Sequence, residues 1–361
     1  MKFRNYSIRT LAILGLMAFS LNGLAQENYK TLNDAEESKF YRGGEQHEVV
    51  IIRRVDGKIS KKPKNVILLI GDGMGISQVT AGYFANGEKL NMMAFSNVGF
   101  STTSSADNLI TDSAAAGTAL STGQKTKNGA IGVDVNLQPI ENIREKLETK
   151  GLATGVVSTS AITHATPASF IAHQSARSSY EGIAADFLKT NVDVFIGGGY
   201  KHFAEREDGV NLIPQLEAKG YQVLTDMAKI AQVKSGKLAG LTAAEHNPQM
   251  TQGRGDMLPV ATRTAMQILN NDKDGFFLMV EGSQIDWGGH QHDTKYIVTE
   301  VLDFDKAVGE ALKFAINNKE TLVVVTADHE TGGMGIVSGN LEKEVLVGGY
   351  TTADHSPVMV P

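Results

Sequence analysis

The stretch Asn65-Val-Ile-Leu-Leu-Ile-Gly-Asp-Gly-Met-Gly75 decides how this chain is read. It holds an unbroken apolar run from Val66 to Ile70, with β-branched side chains at Val66, Ile67 and Ile70. Such a run fits a strand buried on both faces. The glycines that follow end the strand and leave the backbone beside Asp72 open to close approach. In an open α/β sheet, ligands lie beyond the carboxyl ends of the strands. Asp72 therefore stands where a metal or a phosphate would be met.

Around this stretch the chain has 361 residues, 42% apolar and 20% charged, which suits one large domain or two smaller ones. Its start is different. Residues 1–9 are basic without an acid, Thr10–Leu21 is an apolar core too short to span a bilayer, and Gly23-Leu-Ala25 ends it with small residues. Residues 1–25 read as a secretory signal peptide, with a retained anchor as the rival. The expected location is periplasmic or secreted, with no stable membrane association after cleavage. Removing residues 1–25 takes away Lys2, Arg4 and Arg9 and no acid, so the net charge moves from -6 to -9. That charge argues against nucleic acid as a dedicated partner. With no cysteine there is no disulfide framework, and any metal must be held by His and carboxylate.

Residues 26–63 form a polar lead-in with an edge strand expected at 49–55. From residue 64 onward strands alternate with helices. Strands are expected at 66–70, 98–103, 152–158, 192–196, 221–224, 276–280 and 321–326. Helices are expected at 77–86, from Asp112 or Ser113, at 141–150, from Pro167 towards Arg177, and at 212–219, 259–270 and 294–317. Residues 200–258 otherwise look polar and irregular. The alternation predicts an α/β fold with a mostly parallel central sheet and helices on both faces.

Several strand ends carry metal-ligand residue types: Asp72, Glu281 with Asp286 and His290, Asp328-His329, and the region of His164. His355 lies in a further polar stretch. A strand-end Asp taken alone is more often a helix cap. Several together, each directly after a buried strand or a glycine turn, are hard to explain as caps. Asp286 and His290 share one face if the chain is helical from Ser283, a spacing that suits Zn²⁺. A dinucleotide fingerprint fails, because Ile76 stands where its third glycine belongs. Ser113 is outside any G-x-S-x-G elbow, which argues against a Ser-His-Asp triad.

Ile-Gly-Asp72-Gly-Met-Gly, Thr-Asp112-Ser113-Ala-Ala-Ala-Gly117, His164-Ala-Thr166-Pro167, Glu281-Gly-Ser-Gln-Ile-Asp286-Trp287-Gly-Gly-His290 and Asp328-His329-Glu-Thr-Gly-Gly333, in that order, together resemble the alkaline phosphatase family. The resemblance runs from about Pro63 to the end and makes residues 64–361 the catalytic domain. It implies hydrolysis of phosphate monoesters through a phosphoserine on Ser113. It implies two Zn²⁺, one on Asp286, His290 and His355 and one on Asp72, Asp328 and His329. Asp72 would also bridge to a third ion, Mg²⁺, held with Thr166 and Glu281 and placed next to His164. Arg177, eleven residues after Thr166, matches the arginine that clamps phosphate, with Asp112 orienting it. Trp287 becomes a wall of the substrate pocket. The resemblance also implies a homodimer.

The chemistry agrees. A phosphate dianion needs positive charge, which a metal pair and a planar guanidinium fork supply, and a helix start at Ser113 turns N–H groups toward the same anion. The sequence departs from the family in three places. His164 stands where some bacterial members have Asp, and Trp287 where they have Lys. These changes leave the third ion's identity open, with Zn²⁺ expected to be tolerated there. The family also continues with a further strand and a helix where this sequence reaches Pro361, so a C-terminally truncated domain is expected. Rival functions are a phosphodiesterase or sulfatase on the same scaffold, or an inactive binding protein. The lack of Cys and the alanines after Ser113 speak against a sulfatase, and Thr166 with Glu281 against a diesterase.

Overall fold

The structure, a computed structural model, describes residues 36–52 and 62–361. The expected signal peptide and part of the expected strand at 49–55 lie outside the described residues. In chain order the strands are β1 (Phe40–Arg42), β2 (Asn65–Gly71), β3 (Ala153–Ala161), β4 (Val194–Gly198), β5 (Tyr221–Leu224), β6 (Lys237–Leu241), β7 (Phe276–Gly282), β8 (Thr321–Ala327), β9 (Glu330–Thr331), β10 (Gly335–Asn340), β11 (Val345–Gly349) and β12 (His355–Ser356).

Seven of them form one sheet in the order β5-β6-β4-β3-β7-β2-β8. Every pairing in it is parallel, as an α/β chain with helical crossovers requires. Alternate residues of each strand enter two different cores. Ile67 and Leu69 of β2, with Leu278 and Val280 of β7, pack against the helices Ile76–Ala85, Met257–Leu269 and Thr294–Asn318. Ile70, Phe277 and Met279 pack on the opposite face, where the helices Ser113–Thr122 and Tyr180–Phe187 lie. This two-sided burial is why β2 and β7 read as continuous apolar runs rather than alternating ones.

The lead-in joins this body. β1 pairs antiparallel with β11, which pairs with β10, and the His47 ring lies 2.8 Å from the Asp305 carboxylate.

Four local expectations are corrected. Residues 98–103 form no strand: Ser101 alone makes a bridge, to Val360, and Val98 and Phe100 are 74% and 66% exposed. Strand propensity is realised only through pairing, and among the described residues the segment pairs at this one position. Val49–Ile52 is likewise not a strand. The helix expected from Pro167 to Arg177 spans only Ala165–Ala168. Beyond it the backbone bonds leave the helix: Gln174 exchanges two 2.9 Å hydrogen bonds with Ile131, and Arg177 N–H donates to Gly129 at 2.7 Å. Residues 200–258 are more ordered than their composition suggests and supply β6.

Candidate active site

Four neighbouring strands, β3, β7, β2 and β8, deliver the site from their carboxyl ends. Asp72 follows β2, Glu281 closes β7, His164 follows β3 and Asp328-His329 follows β8. The helix Gln284–His290 comes directly after β7 and turns Asp286 and His290 to the same side. β12 pairs with β9 and so brings His355 to Thr331. Gly73 makes the close packing possible. Its φ is +72°, and a Cβ there would sit 2.7 Å from the Asp286 Cα.

Three groups of side chains converge closely enough to share an ion: Asp286 with His290 and His355, Asp72 with Asp328 and His329, and Asp72 with His164 and Glu281. Asp72 belongs to two of them. Its two carboxylate oxygens are buried without a hydrogen-bond partner, as are Asp328 Oδ2, Glu281 Oε1, Thr166 Oγ1 and His164 Nδ1. Buried unpaired acceptors are costly. Concentrated here, they fit cations.

The histidines are oriented to match. His290 Nδ1 faces Ala353 O at 2.8 Å and His355 Nδ1 faces Thr111 O at 2.7 Å. Each therefore turns Nε2 to Asp286, at 3.4 Å. His329 Nδ1 meets Thr331 Oγ1 at 3.2 Å, and its Nε2 lies 3.4 Å from Asp72 and 3.3 Å from Asp328. Fixing one ring nitrogen so that the other aims at a shared centre is how metal-binding histidines are held.

Ser113 is the first residue of the helix Ser113–Thr122, and Asp112 is its N-cap, accepting from Ala115 N–H at 2.9 Å. Ser113 is 1% exposed and its Oγ lies 3.2 Å from His329 Nε2. The other Asp112 oxygen takes Arg177 Nη1 at 2.9 Å and Gly129 N–H at 3.0 Å. Arg177 Nη2 is 3.4 Å from His164 Nε2. The Ser113 hydroxyl, the Arg177 guanidinium and the clusters thus share one region.

The charges are strained. Burial, then Asp328, raises Asp72 well above the usual carboxylate range. Burial pushes Glu281 up to about 8 and Asp328 up to about 6. Asp286 is also buried, but hydrogen bonds from His290 and His355 outweigh this and hold it low. Asp286 in turn raises His290 to about 9. Burial, then Arg177, lowers His164 to about 3.

A pH dependence follows for the metal-free protein. Glu281, Asp328, Asp72, His290 and His355 bind protons more tightly folded than unfolded. Their stabilising protonation is lost as pH rises through the folded values. The opposing effect of His164 and His329, both lowered, is complete once pH exceeds the ordinary histidine value of 6.5. Thermal midpoints of chelated protein should therefore fall from about pH 6.5 to 9, while metal-loaded protein stays nearly flat. Parallel curves for the two forms would contradict this account.

His246 and His202 lie in polar stretches without a motif, and Thr331 stands only as an unmarked member of the Asp328–Gly333 run. The structure moves all three to the site. The His246 ring stands edge-on to Trp287 at 4.8 Å and to His164 at 5.6 Å, forming a wall beside Arg177. His202 bonds Thr163 at 2.6 Å and stacks on Tyr180. Thr331 donates to Asp286 at 2.5 Å. Only its place two residues after His329 offered a signal. His292 bonds Thr352 O and stacks on Tyr350, away from the clusters.

A parallel sheet with carboxylate–histidine clusters at its carboxyl ends and a serine among them defines the class: a metal-dependent α/β hydrolase. The family model described as alkaline phosphatase matches residues 63–359. Alkaline phosphatase 3 of Bacillus subtilis is 41% identical over 342 residues, 90% of this chain and 69% of that protein. Alkaline phosphatase 4 of the same organism is 40% identical, over 76% of this chain and 62% of its own length. The alkaline phosphatase of the Antarctic bacterium TAB5 superposes with a TM-score of 0.78 at 41% identity, covering 83% of this chain and 90% of that one. A variant of that enzyme holds Mg in its M3 site. The chain belongs to the alkaline phosphatase family, a family of phosphoric monoester hydrolases.

Proposed function

We propose that the protein hydrolyses phosphate monoesters to an alcohol and inorganic phosphate through a phosphoserine on Ser113. The observation that carries this is the buried Ser113 hydroxyl at a helix N-terminus, 3.2 Å from His329, with the Arg177–Asp112 pair beside it. Arg177 offers its fork to two phosphate oxygens, held in place by Asp112. The free N–H groups of the first helical turn face the same anion. Ser113 Oγ attacks phosphorus as the ester P–O bond breaks. Water then attacks the same phosphorus and returns the serine.

Asp286, His290 and His355 would hold one Zn²⁺, and Asp72, Asp328 and His329 a second. Asp72, Thr166, Glu281 and His164 would hold or flank a third ion. Bound cations supply positive charge for the phosphate and for the entering and leaving oxygens. A neutral His164 in place of a further carboxylate softens the third position, which supports Zn²⁺ as well as Mg²⁺ there. Trp287 and His246 wall the entrance. The order of basic, apolar and small residues over 1–25 supports export to the periplasm or medium, and the family resemblance supports a homodimer. Among the described residues no helix is long and apolar enough to cross a membrane.

The decisive assay compares p-nitrophenyl phosphate with bis-p-nitrophenyl phosphate at alkaline pH, with and without chelator. The expected result is faster cleavage of the monoester, abolished by chelation and restored by Zn²⁺ with Mg²⁺. Faster cleavage of the diester would transfer the protein to phosphodiester chemistry.

A further inference from the structure

His173 lies outside the metal clusters, and its two ring nitrogens meet two acceptors. Nδ1 is 2.6 Å from the Gly132 carbonyl oxygen and Nε2 is 3.0 Å from Glu145 Oε1. A carbonyl and a carboxylate only accept, so both nitrogens must carry protons and the ring is an imidazolium. Glu145 is itself fixed, because its other oxygen takes the Asn142 N–H at 2.9 Å in the capping box of the helix Ile143–Glu148.

The charged groups packed around the ring are Glu145, Glu148 and Arg144 from that helix, Asp186 from the helix Tyr180–Phe187, and Lys189 after it. All of them, with His173, line a cavity of about 340 Å³. Arg144 is held by Glu148 at 2.6 Å and reaches Glu145 Oε1 only at 3.6 Å, and Lys189 is held by Asp186 at 2.7 Å, so His173 is the nearest cation to Glu145, at 3.0 Å. Glu145 raises the His173 pKa above its ordinary value against the opposing effect of burial. The ring is 23% exposed, so solvent protons reach it.

What His173 ties together is the arginine segment and the loop that receives it. Gly132 packs at φ +59°, where a Cβ would lie 2.2 Å from Ala172 O. Three residues from Gly132 in the loop and four from His173 in the segment, Gly129 O accepts from Arg177 N–H and Gly129 N–H donates to Asp112 Oδ2. The same Asp112 oxygen holds the Arg177 guanidinium.

We infer that protonated His173 is a positioning residue that clamps the Arg177 segment onto the Gly129–Gly132 loop, and that its deprotonation loosens phosphate binding. A neutral ring can donate from one nitrogen only, which leaves its other lone pair facing an oxygen. Phosphate affinity then falls as pH rises through the His173 pKa. The inference rests on Arg177 being the phosphate-binding arginine.

The test uses the metal-loaded full chain. NMR of isotope-labelled histidine gives the His173 pKa, and inhibition by inorganic phosphate is measured over about pH 6 to 10. The expected result is a His173 pKa above 6.5 and a phosphate inhibition constant that rises about tenfold across it, the worth of one charge-assisted bond. His173→Gln should bind phosphate weakly throughout, without the inflection. Glu145→Gln is the sharper variant. Its amide oxygen can cap Asn142 while its NH₂ donates to Nε2 of a neutral ring, so both bonds persist without the charge. Phosphate binding should then be tight and free of that inflection. A His173 pKa at or below 6.5, or a phosphate profile unchanged in both variants, overturns the inference. Arg177→Ala separates the two levels. Unchanged phosphate inhibition there removes the underlying reading, whereas weakened inhibition there with unchanged His173 and Glu145 variants removes only the clamp.

Discussion

Ser113→Ala is expected to lower kcat by at least about a thousandfold, because it deletes the atom to which phosphorus transfers. Metal content and thermal stability should stay close to those of the parent. The hydroxyl has one hydrogen-bonding neighbour in the structure, His329, and alanine is well tolerated in a first helical turn capped by Asp112. Steady-state kinetics with an aryl phosphate, metal analysis and a melting curve on one preparation check all three. Acid-quenched enzyme should trap labelled phosphate in the parent and none in the variant. A variant retaining a tenth of the parent kcat would mean that Ser113 is not the nucleophile.

The second large effect belongs to Asp72. Asp72→Ala should remove two ions rather than one, since Asp72 is shared by the cluster with Asp328 and His329 and the cluster with His164 and Glu281. Activity should fall to background. The same substitution should act in the opposite direction on the metal-free protein. Asp72 is fully buried, and its charge is opposed by burial and by Asp328, Asp286 and Glu281. Deleting it relieves a crowd of buried carboxylates that Arg177 and the neighbouring histidines offset only in part. Chelated Asp72→Ala should therefore melt above chelated parent, and metal-treated Asp72→Ala below metal-treated parent. Loss of a single ion per chain would show that the carboxylate does not bridge.

The sheet places several acidic groups at the ends of adjacent parallel strands, where both Asp72 oxygens are buried without a hydrogen-bond partner. The cost is accepted locally because the same convergence makes a cation site.

Much of this was legible in the chain. Val66–Ile70 and 276–280 could only be strands covered on both faces, so the α/β class followed from two apolar runs and the helices between them. The four-residue spacing of Asp286 and His290 puts them on one face of a helix that begins near Ser283, and that helix is present. Asp112 and Ser113 read as a helix start because a capping carboxylate precedes a run of alanines. The failures share one cause. Residues 98–103 have the composition of a strand but pair only at Ser101, with Val360. The segment from Pro167 has the composition of a helix, yet its backbone bonds go to Ile131 and Gly129. Local preference decides an element only where no distant partner competes for the same N–H and C=O groups.

Residue order alone specifies the kinds of group available: carboxylates and imidazoles at strand ends, one serine at a helix start, and no thiol anywhere. Those are properties of residue type and of short-range periodicity, which the chain carries locally. Which of those groups share a centre depends on the folded arrangement of the strands. Strand order put β7 between β3 and β2, and this brought Glu281 within reach of both Asp72 and His164. It also drew His246 to Trp287 from a stretch with no local signature, and seated Arg177 against Asp112 through a loop rather than a helix. Contacts between residues far apart in the chain depend on sheet order and crossover paths. Asp72, first marked as a lone carboxylate among glycines, became the shared member of two clusters for that reason.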